Sequence, residues 1–363
     1  MKDTIISKTI DFLRFPMIVG VVFIHSNMQV VNIQGTLIRF DKWPAVAFIM
    51  NFFSSVLADV CVPLFFFFSG FLFFYYSDFS KYTYINKIKK RIRTLLVPYL
   101  IWNFVAFLIL LIQVHPRIVV FFPLLKDYRV DIVSFLSSFW VTNLPISMSG
   151  PANPINTPLW FIRDLMILVL LSPIIWWLIK KMCYFFIIFL GVIWFFSFGE
   201  CIGLPNLCHQ SIFFFPLGAY FGINKLNFVE MTQKVYWIPF VYIAIALLDA
   251  LTRVTHFSYV IHNVEILIGM MALVYISSSM IKRRIVQVNT FLVGASFFVY
   301  ALHNLFLGKL TKVIVMLVQP NSPISVLLIY YSMPFIAIII CLSLYKFLCS
   351  KIPSFCSVIT GGR

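Results

Sequence analysis

ISVLLIYYSMPFIAIIICLSLYKFL, residues Ile324–Leu348, contains one charged side chain, Lys346, close to its end. A helix needs about 20 apolar residues to cross a hydrocarbon core of about 30 Å, and a helix buried in a soluble protein is rarely this long without a polar face. The run is therefore read as a membrane span. Similar runs lie at Ile10–Val31, Asp59–Tyr76, Leu95–Val114, Leu159–Ile179, Met182–Phe198, Gln210–Gly222, Val235–Leu251, Tyr259–Met280 and Thr290–Leu310. The composition agrees: 61% of the 363 residues are hydrophobic and 11% charged, against roughly 45–50% and about 25% in soluble domains. The expected fold is an all-α, polytopic membrane helix bundle of about ten transmembrane helices. Residues 1–363 form a single integral-membrane domain.

The formal charge of +16 could suggest nucleic acid. Its distribution excludes that partner, because Lys and Arg stand in short clusters between apolar runs, as orientation signals do. With a cytoplasmic N-terminus, 19 of the 28 Lys and Arg fall inside: Lys2, Lys8, Arg14, Lys81, Lys87, Lys89, Lys90, Arg91, Arg93, Lys180, Lys181, Lys225, Lys234, Lys282, Arg283, Arg284, Lys346, Lys351 and Arg363. Outside are Arg39, Lys42, Arg117, Lys126, Arg129, Arg253, Lys309 and Lys312. This bias predicts that both termini are cytoplasmic. The first run lacks a signal-peptide exit site and is read as a retained helix.

The one long connection, His115–Pro158, then lies outside. Within it Ile132, Phe135, Leu136, Phe139 and Trp140 recur at helical spacing, so Asp131–Val141 is expected as an amphipathic helix in the interface. Pro145–Pro158 reads as an ordered loop, and Ala45–Val56 as an interfacial helix leading into the second span. The seven Cys lack paired or metal-like spacing and read as apolar thiols, although Cys201 and Cys208 share a loop and could pair if it faces an oxidising compartment. No metal site is assigned.

Ionisable residues within spans are costly and mark function by default. Arg14 and His25 both fall in the first run. Eleven residues turn a helix through about 1100°, close to three full turns, so the two project from one face about 16 Å apart along the axis. Arg14 could also be an anchor snorkelling to the interface, and His25 a helix-packing hydrogen-bonding group. In the outer half lie Asp59, Trp160, Arg163, Asp164, Asp249, His262, Glu265 and His303. His262 and Glu265, three apart, share a face. Together these groups suggest one cavity entered from both sides.

Arg14-x10-His25 within DFLRFPMIVGVVFIHS resembles the opening signature of the integral-membrane acyltransferase 3 family. The likeness continues in order through VPLFFFFSGFLF (Val62–Phe73), KKRIRTLLVPYLIW (Lys89–Trp102), PLWFIRDL (Pro158–Leu165), FFPLGAYFG (Phe214–Gly222) and SFFVYALH (Ser296–His303). It differs in having Lys90-x-x-Arg93 where the family often has two Arg, and Leu165 where some members have Glu. The resemblance implies transfer of an acyl group, with acetyl favoured, from cytoplasmic acyl-coenzyme A to a hydroxyl of a sugar or surface glycan in a bacterial inner membrane. Acyl-coenzyme A would be a co-substrate, with no permanently bound cofactor.

The residues fit that chemistry on their own terms. Lys89, Lys90, Arg91, Arg93 and Arg14 gather cations suited to the coenzyme's phosphates, although a basic cluster is also a topology signal. His25 and Arg14 are the expected catalytic residues, with His25 as the base, able to take a hydroxyl proton and return it to a thiolate. Trp160, Arg163, Asp164, His303, Glu265 and Asp59 are the expected acceptor-binding set, though Trp160 could be an interfacial anchor and Arg163–Asp164 a self-neutralising pair. Ser69-Gly70 is read as close helix packing. The alternative is a transporter or flippase for a lipid-linked sugar or small solute, but the chain has no visible inverted repeat.

Overall fold

Each of the ten apolar runs contains a helix in the computed structural model, which describes residues 2–33, 35–75, 79–119, 125–126, 128–141, 153–196, 207–253 and 258–362. The helices are α1 (Lys2–Ile24), α2 (Pro44–Asn51), α3 (Cys61–Tyr75), α4 (Lys81–Arg91), α5 (Val97–Gln113), α6 (Ile132–Ser137), α7 (Trp160–Leu170), α8 (Ser172–Met182), α9 (Tyr184–Phe195), α10 (His209–Ile223), α11 (Phe228–Gln233), α12 (Ile238–Thr252), α13 (Ser258–Lys282), α14 (Thr290–Val318), α15 (Pro323–Lys351) and α16 (Pro353–Thr360). Five helical stretches among the described residues are long and apolar enough to cross a membrane: Pro44–Tyr75, Lys81–Gln113, Ser258–Lys282, Thr290–Val318 and Pro323–Lys351. The chain is a multi-pass, essentially all-α membrane protein.

Three expectations are refined. The first run was expected to stay helical to Val31, but α1 stops at Ile24 and the chain turns into a hairpin, β1 (Val30–Ile33) against β2 (Thr36–Arg39), with Val30 opposite Arg39. Its β-branched residues favour strand, and Gly35 takes φ +90° at the turn, a conformation glycine adopts without a Cβ clash. The segment read as a separate interfacial helix is continuous with the second span, since α2 runs through a π-helical turn (Phe52–Leu57) and the turn at Asp59 into α3.

The fourth run is broken. α7 and α8 meet at 62°. Pro173 lacks an N–H and crowds the carbonyl four residues back, and Ser172 Oγ donates to that Val169 carbonyl at 2.7 Å.

The chain divides into two compact units. The first comprises Met1–Ile24, Asn51–Lys90 and Asp164–Ser296. Its tightest packing joins α3 to α10 through glycines. A Cβ on Gly70 would lie 2.0 Å from the Phe215 carbonyl oxygen, and one on Gly218 would lie 1.9 Å from that of Phe67. Gly218 and Gly222 are one turn apart, the small-x-x-x-small spacing that lets helix backbones approach in a membrane. Phe67 and Phe71 then reach Phe228 on α11, with ring centroids 5.3 and 5.0 Å apart.

The second unit comprises His25–Met50, Arg91–Arg163 and Phe297–Arg363. Here Trp102 Nε1 of α5 donates to the Ile359 carbonyl of α16 at 3.0 Å. Cys349 and Cys356 form a disulfide across the α15–α16 turn, a pairing their linear spacing did not disclose. Cys201 lies outside the described residues, so the Cys201–Cys208 pairing does too. In the expected outer loop, Asp131 caps α6 by accepting from the Ser134 N–H at 2.7 Å, a bond that holds its carboxyl below the usual carboxylate range. Phe135 packs inward on Phe107 at 4.9 Å, while Ile132, Val133 and Leu136 are exposed, an apolar face suited to lipid. Part of the expected loop, residues 142–152, lies outside the described residues.

Overpacking the glycine seam should destabilise the first unit. Gly218→Val is expected to cost about 1–3 kcal/mol and lower the thermal midpoint in detergent, whereas Gly308→Ala, with nothing within 4 Å of the added Cβ, should leave it unchanged. Equal midpoints for the two variants would refute the close-approach account.

Candidate active site

α1 ends at Ile24, and His25 is the first residue of the turn that follows it. The His25 ring meets that of His303, with centroids 5.4 Å apart and planes tilted by 47°. Both histidines belong to the second unit.

His303 is fully buried on α14. Its Nδ1 lies 3.0 Å from the Val299 carbonyl, four residues back along the helix. A carbonyl can only accept, so Nδ1 carries the proton and Nε2 is left as a bare acceptor. Among the described residues Nε2 has no partner. A buried acceptor without a donor costs roughly 1–3 kcal/mol, so the position suits a ligand that brings an O–H.

Two asparagines brace the same helix. The Asn156 N–H donates to Asn103 Oδ1 at 3.2 Å, and Asn156 Nδ2 donates to the Ala301 carbonyl at 2.8 Å, two residues before His303. Asn156 Oδ1 is a second buried acceptor without a donor among the described residues. Tyr300 adds a hydrogen bond from its hydroxyl to the Pro158 carbonyl. Asn103 and Asn156 were not singled out along the chain. The one available signal was an amide inside the otherwise apolar run Leu95–Val114.

Arg163 is buried, donates to the Trp140 carbonyl at 3.0 Å and stacks over the Trp140 ring at 5.4 Å, tying the end of the α6 segment to α7. Asp164 accepts the Cys208 N–H at 2.9 Å, where α10 begins. These neighbours thus have structural partners of their own. Trp160 opens α7 and is half-buried.

The other expected acceptor residues, Asp59 and Glu265, lie in the first unit within a cluster that adds Asp249, Arg253 and His262. His262 Nδ1 is 2.8 Å from Asp249 Oδ2 and 3.9 Å from Glu265 Oε2, and its Nε2 is 3.5 Å from Asp59 Oδ2. The shared face of His262 and Glu265 is therefore realised. Arg253, four residues after Asp249, lies 3.7 Å from it and 3.9 Å from Asp59.

Of the cations expected to hold phosphate, Lys89, Lys90 and Arg93 are exposed and Arg91 half-buried along the continuous helix Lys81–Gln113. Arg14 is half-exposed and paired with Asp11 at 3.3 Å. Lys87 is engaged elsewhere, bonded to the Phe73 carbonyl with its ammonium over the Phe73 ring.

This helical membrane chain carries a paired-imidazole site, and the family profile for the acyltransferase domain matches residues 7–346. The chain belongs to the acyltransferase 3 family. Among curated proteins, the acyltransferase is 26% identical to the succinoglycan biosynthesis protein ExoH of Rhizobium meliloti (strain 1021), over 99% of this chain and 94% of that one. No solved structure matches. Membership makes the protein a membrane acyltransferase.

Proposed function

We propose that this acyltransferase moves an acyl group, acetyl by family resemblance, from cytoplasmic acyl-coenzyme A to a hydroxyl of a sugar or surface glycan. The observation that carries the reading is the His25–His303 ring contact with its unpartnered His303 Nε2, inside a chain of this family. The name of the R. meliloti relative supports a glycan acceptor. Family membership weighs against the transporter alternative.

The chemistry needs one proton shuttle. His25 takes the proton of the acceptor hydroxyl as the oxygen attacks the thioester carbonyl. The C–S bond breaks, the acyl group becomes an ester, and the proton passes to the sulfur of coenzyme A. His303 Nε2 accepts a hydrogen bond from the acceptor and orients it, with Trp160, Arg163 and Asp164 on the acceptor side. A positioned base contributes 10²–10⁴-fold to rate, on the order of 3–5 kcal/mol. Asp59 and Glu265 are left to the ionic cluster of the first unit.

The coenzyme's phosphates are assigned to Lys89, Lys90, Arg91, Arg93 and Arg14. The Arg14–Asp11 pair is half-exposed, and such pairs are worth about 0–1 kcal/mol, so a phosphate can displace the carboxylate. The charge bias supports ten spans with both termini cytoplasmic, in a bacterial inner membrane, the whole chain acting as one acyltransferase domain.

His25→Gln should lose at least 10²-fold in transfer rate in purified enzyme while still binding acyl-coenzyme A, because glutamine hydrogen-bonds but cannot cycle a proton. His303→Gln should mainly raise the KM for the acceptor. Near wild-type turnover in His25→Gln with a dead His303→Gln would reverse the two roles.

Arg91→Ala with Arg93→Ala should weaken coenzyme A binding by roughly 1.5–3 kcal/mol per lost charged contact, as read by calorimetry. Unchanged affinity would remove the cluster from the donor site. A cysteine introduced at Asn153 should react with an impermeant maleimide added outside intact cells. Labelling only after lysis would invert the topology.

A further inference from the structure

The cluster in the first unit gathers three carboxylates, Asp59, Asp249 and Glu265, around the His262 imidazole and, among the described residues, the one guanidinium facing them, Arg253. With His262 neutral and all three carboxylates ionised, the group would be two positive charges short. Asp249 and Glu265 are fully buried, while His262, Asp59 and Arg253 keep 20–30% of their side chains exposed at the rim. Neither oxygen of Glu265 has a hydrogen-bond partner among the described residues, nor has Asp249 Oδ1. The Tyr242 phenol faces Glu265.

We infer that Asp249, His262 and Glu265 form a binding site for one divalent transition-metal ion of the zinc or manganese type. One ligand atom from each residue lies within 4.8 Å of the others. Bonds of about 2.0–2.2 Å to a central ion place neighbouring ligand atoms roughly 3–3.6 Å apart, so the observed 2.8 and 3.9 Å need adjustments of a few tenths of an ångström, and the two carboxylates, within 4.8 Å, must draw together around the ion. Metal binding would displace the proton that Nδ1 shares with Asp249; with a proton on Nε2, 3.5 Å from Asp59, the Nδ1 lone pair would face Asp249 and Glu265, with Arg253 Nη2 3.4 Å away. A carboxylate behind the second ring nitrogen is how ligating histidines are oriented.

A divalent ion brings the five side chains to neutrality and gives Glu265 the partner it lacks. One imidazole with two carboxylates favours Zn²⁺ or Mn²⁺ over Ca²⁺, which takes six to eight oxygens, and over thiolate-seeking Cu⁺. The ion would pin α12 to α13. Asp59 and Arg253 would brace the ligands from the turn before α3 and the end of α12. This inference is independent of the acyl-transfer reading.

The test uses the full-length enzyme purified in detergent without chelating resin. Mass spectrometry of the metal content should find about one equivalent of Zn or Mn per chain. After chelator dialysis, added Zn²⁺ or Mn²⁺ should raise the melting temperature, and Mg²⁺ should not. Glu265→Gln, which keeps the volume, should abolish the rise, and Asp59→Asn, which removes only the support behind His262, should weaken metal affinity about 10–100-fold. Metal-free wild-type protein whose melting ignores Zn²⁺ and Mn²⁺ would overturn the inference and leave protons as the balancing charge. If Glu265→Gln does not fold, the wild-type stoichiometry and melting shift still decide.

Discussion

Hydrocarbon supplies no hydrogen bonds, and the rest of this structure follows from that constraint. Backbone amides must be satisfied within the chain, so the apolar runs become helices. Where that internal pairing fails, a local substitute stands in, as Ser172 does for the carbonyl freed by Pro173. Lipid also gives helices little apolar reason to associate, which leaves close van der Waals fit to hold them. The Gly70, Gly218 and Gly222 contacts between α3 and α10 supply that fit, and the phenylalanines beside them fill the space around the seam.

The same constraint makes buried polar side chains informative. Most are satisfied locally, as Asn103 and Arg163 are by backbone carbonyls. Some are not, among them His303 Nε2, Asn156 Oδ1 and the Glu265 carboxyl group, which remain without partners among the described residues. The first two are acceptors in the second unit, where an alcohol could donate to them. Glu265 sits in the first unit among other carboxyl groups, where a cation could answer it. Function is thus assigned by what each group lacks and not by polarity alone.

Much of the fold was legible along the chain, because span length and hydropathy are properties of consecutive residues. The runs, the helix expected over Asp131–Val141 and found only over Ile132–Ser137, and the shared face of His262 and Glu265 all rest on local periodicity. The hairpin at Val30–Arg39 was missed because its β-branched residues are apolar and blend into the preceding span. The break between α7 and α8 was missed because a Pro near a helix start and a Pro breaking a span look alike in sequence. Ordered motif blocks pointed to the acyltransferase family before any geometry, since such patterns also survive in linear order.

What the sequence by itself determined is the membrane-spanning helical class, the family and the residue types available for chemistry. Only the tertiary structure decided the pairings. Helical arithmetic could relate His25 only to its own helix, and the fold gave it the ring of His303 as a neighbour. Trp140 on Arg163 and Arg253 on Asp59 followed in the same way, whereas Asp11–Arg14 and Asp249–Arg253 are local helical pairs. The physical reason is that hydropathy is read along the chain, whereas the partner that satisfies a buried charge is set by where helices end and which faces they turn to one another.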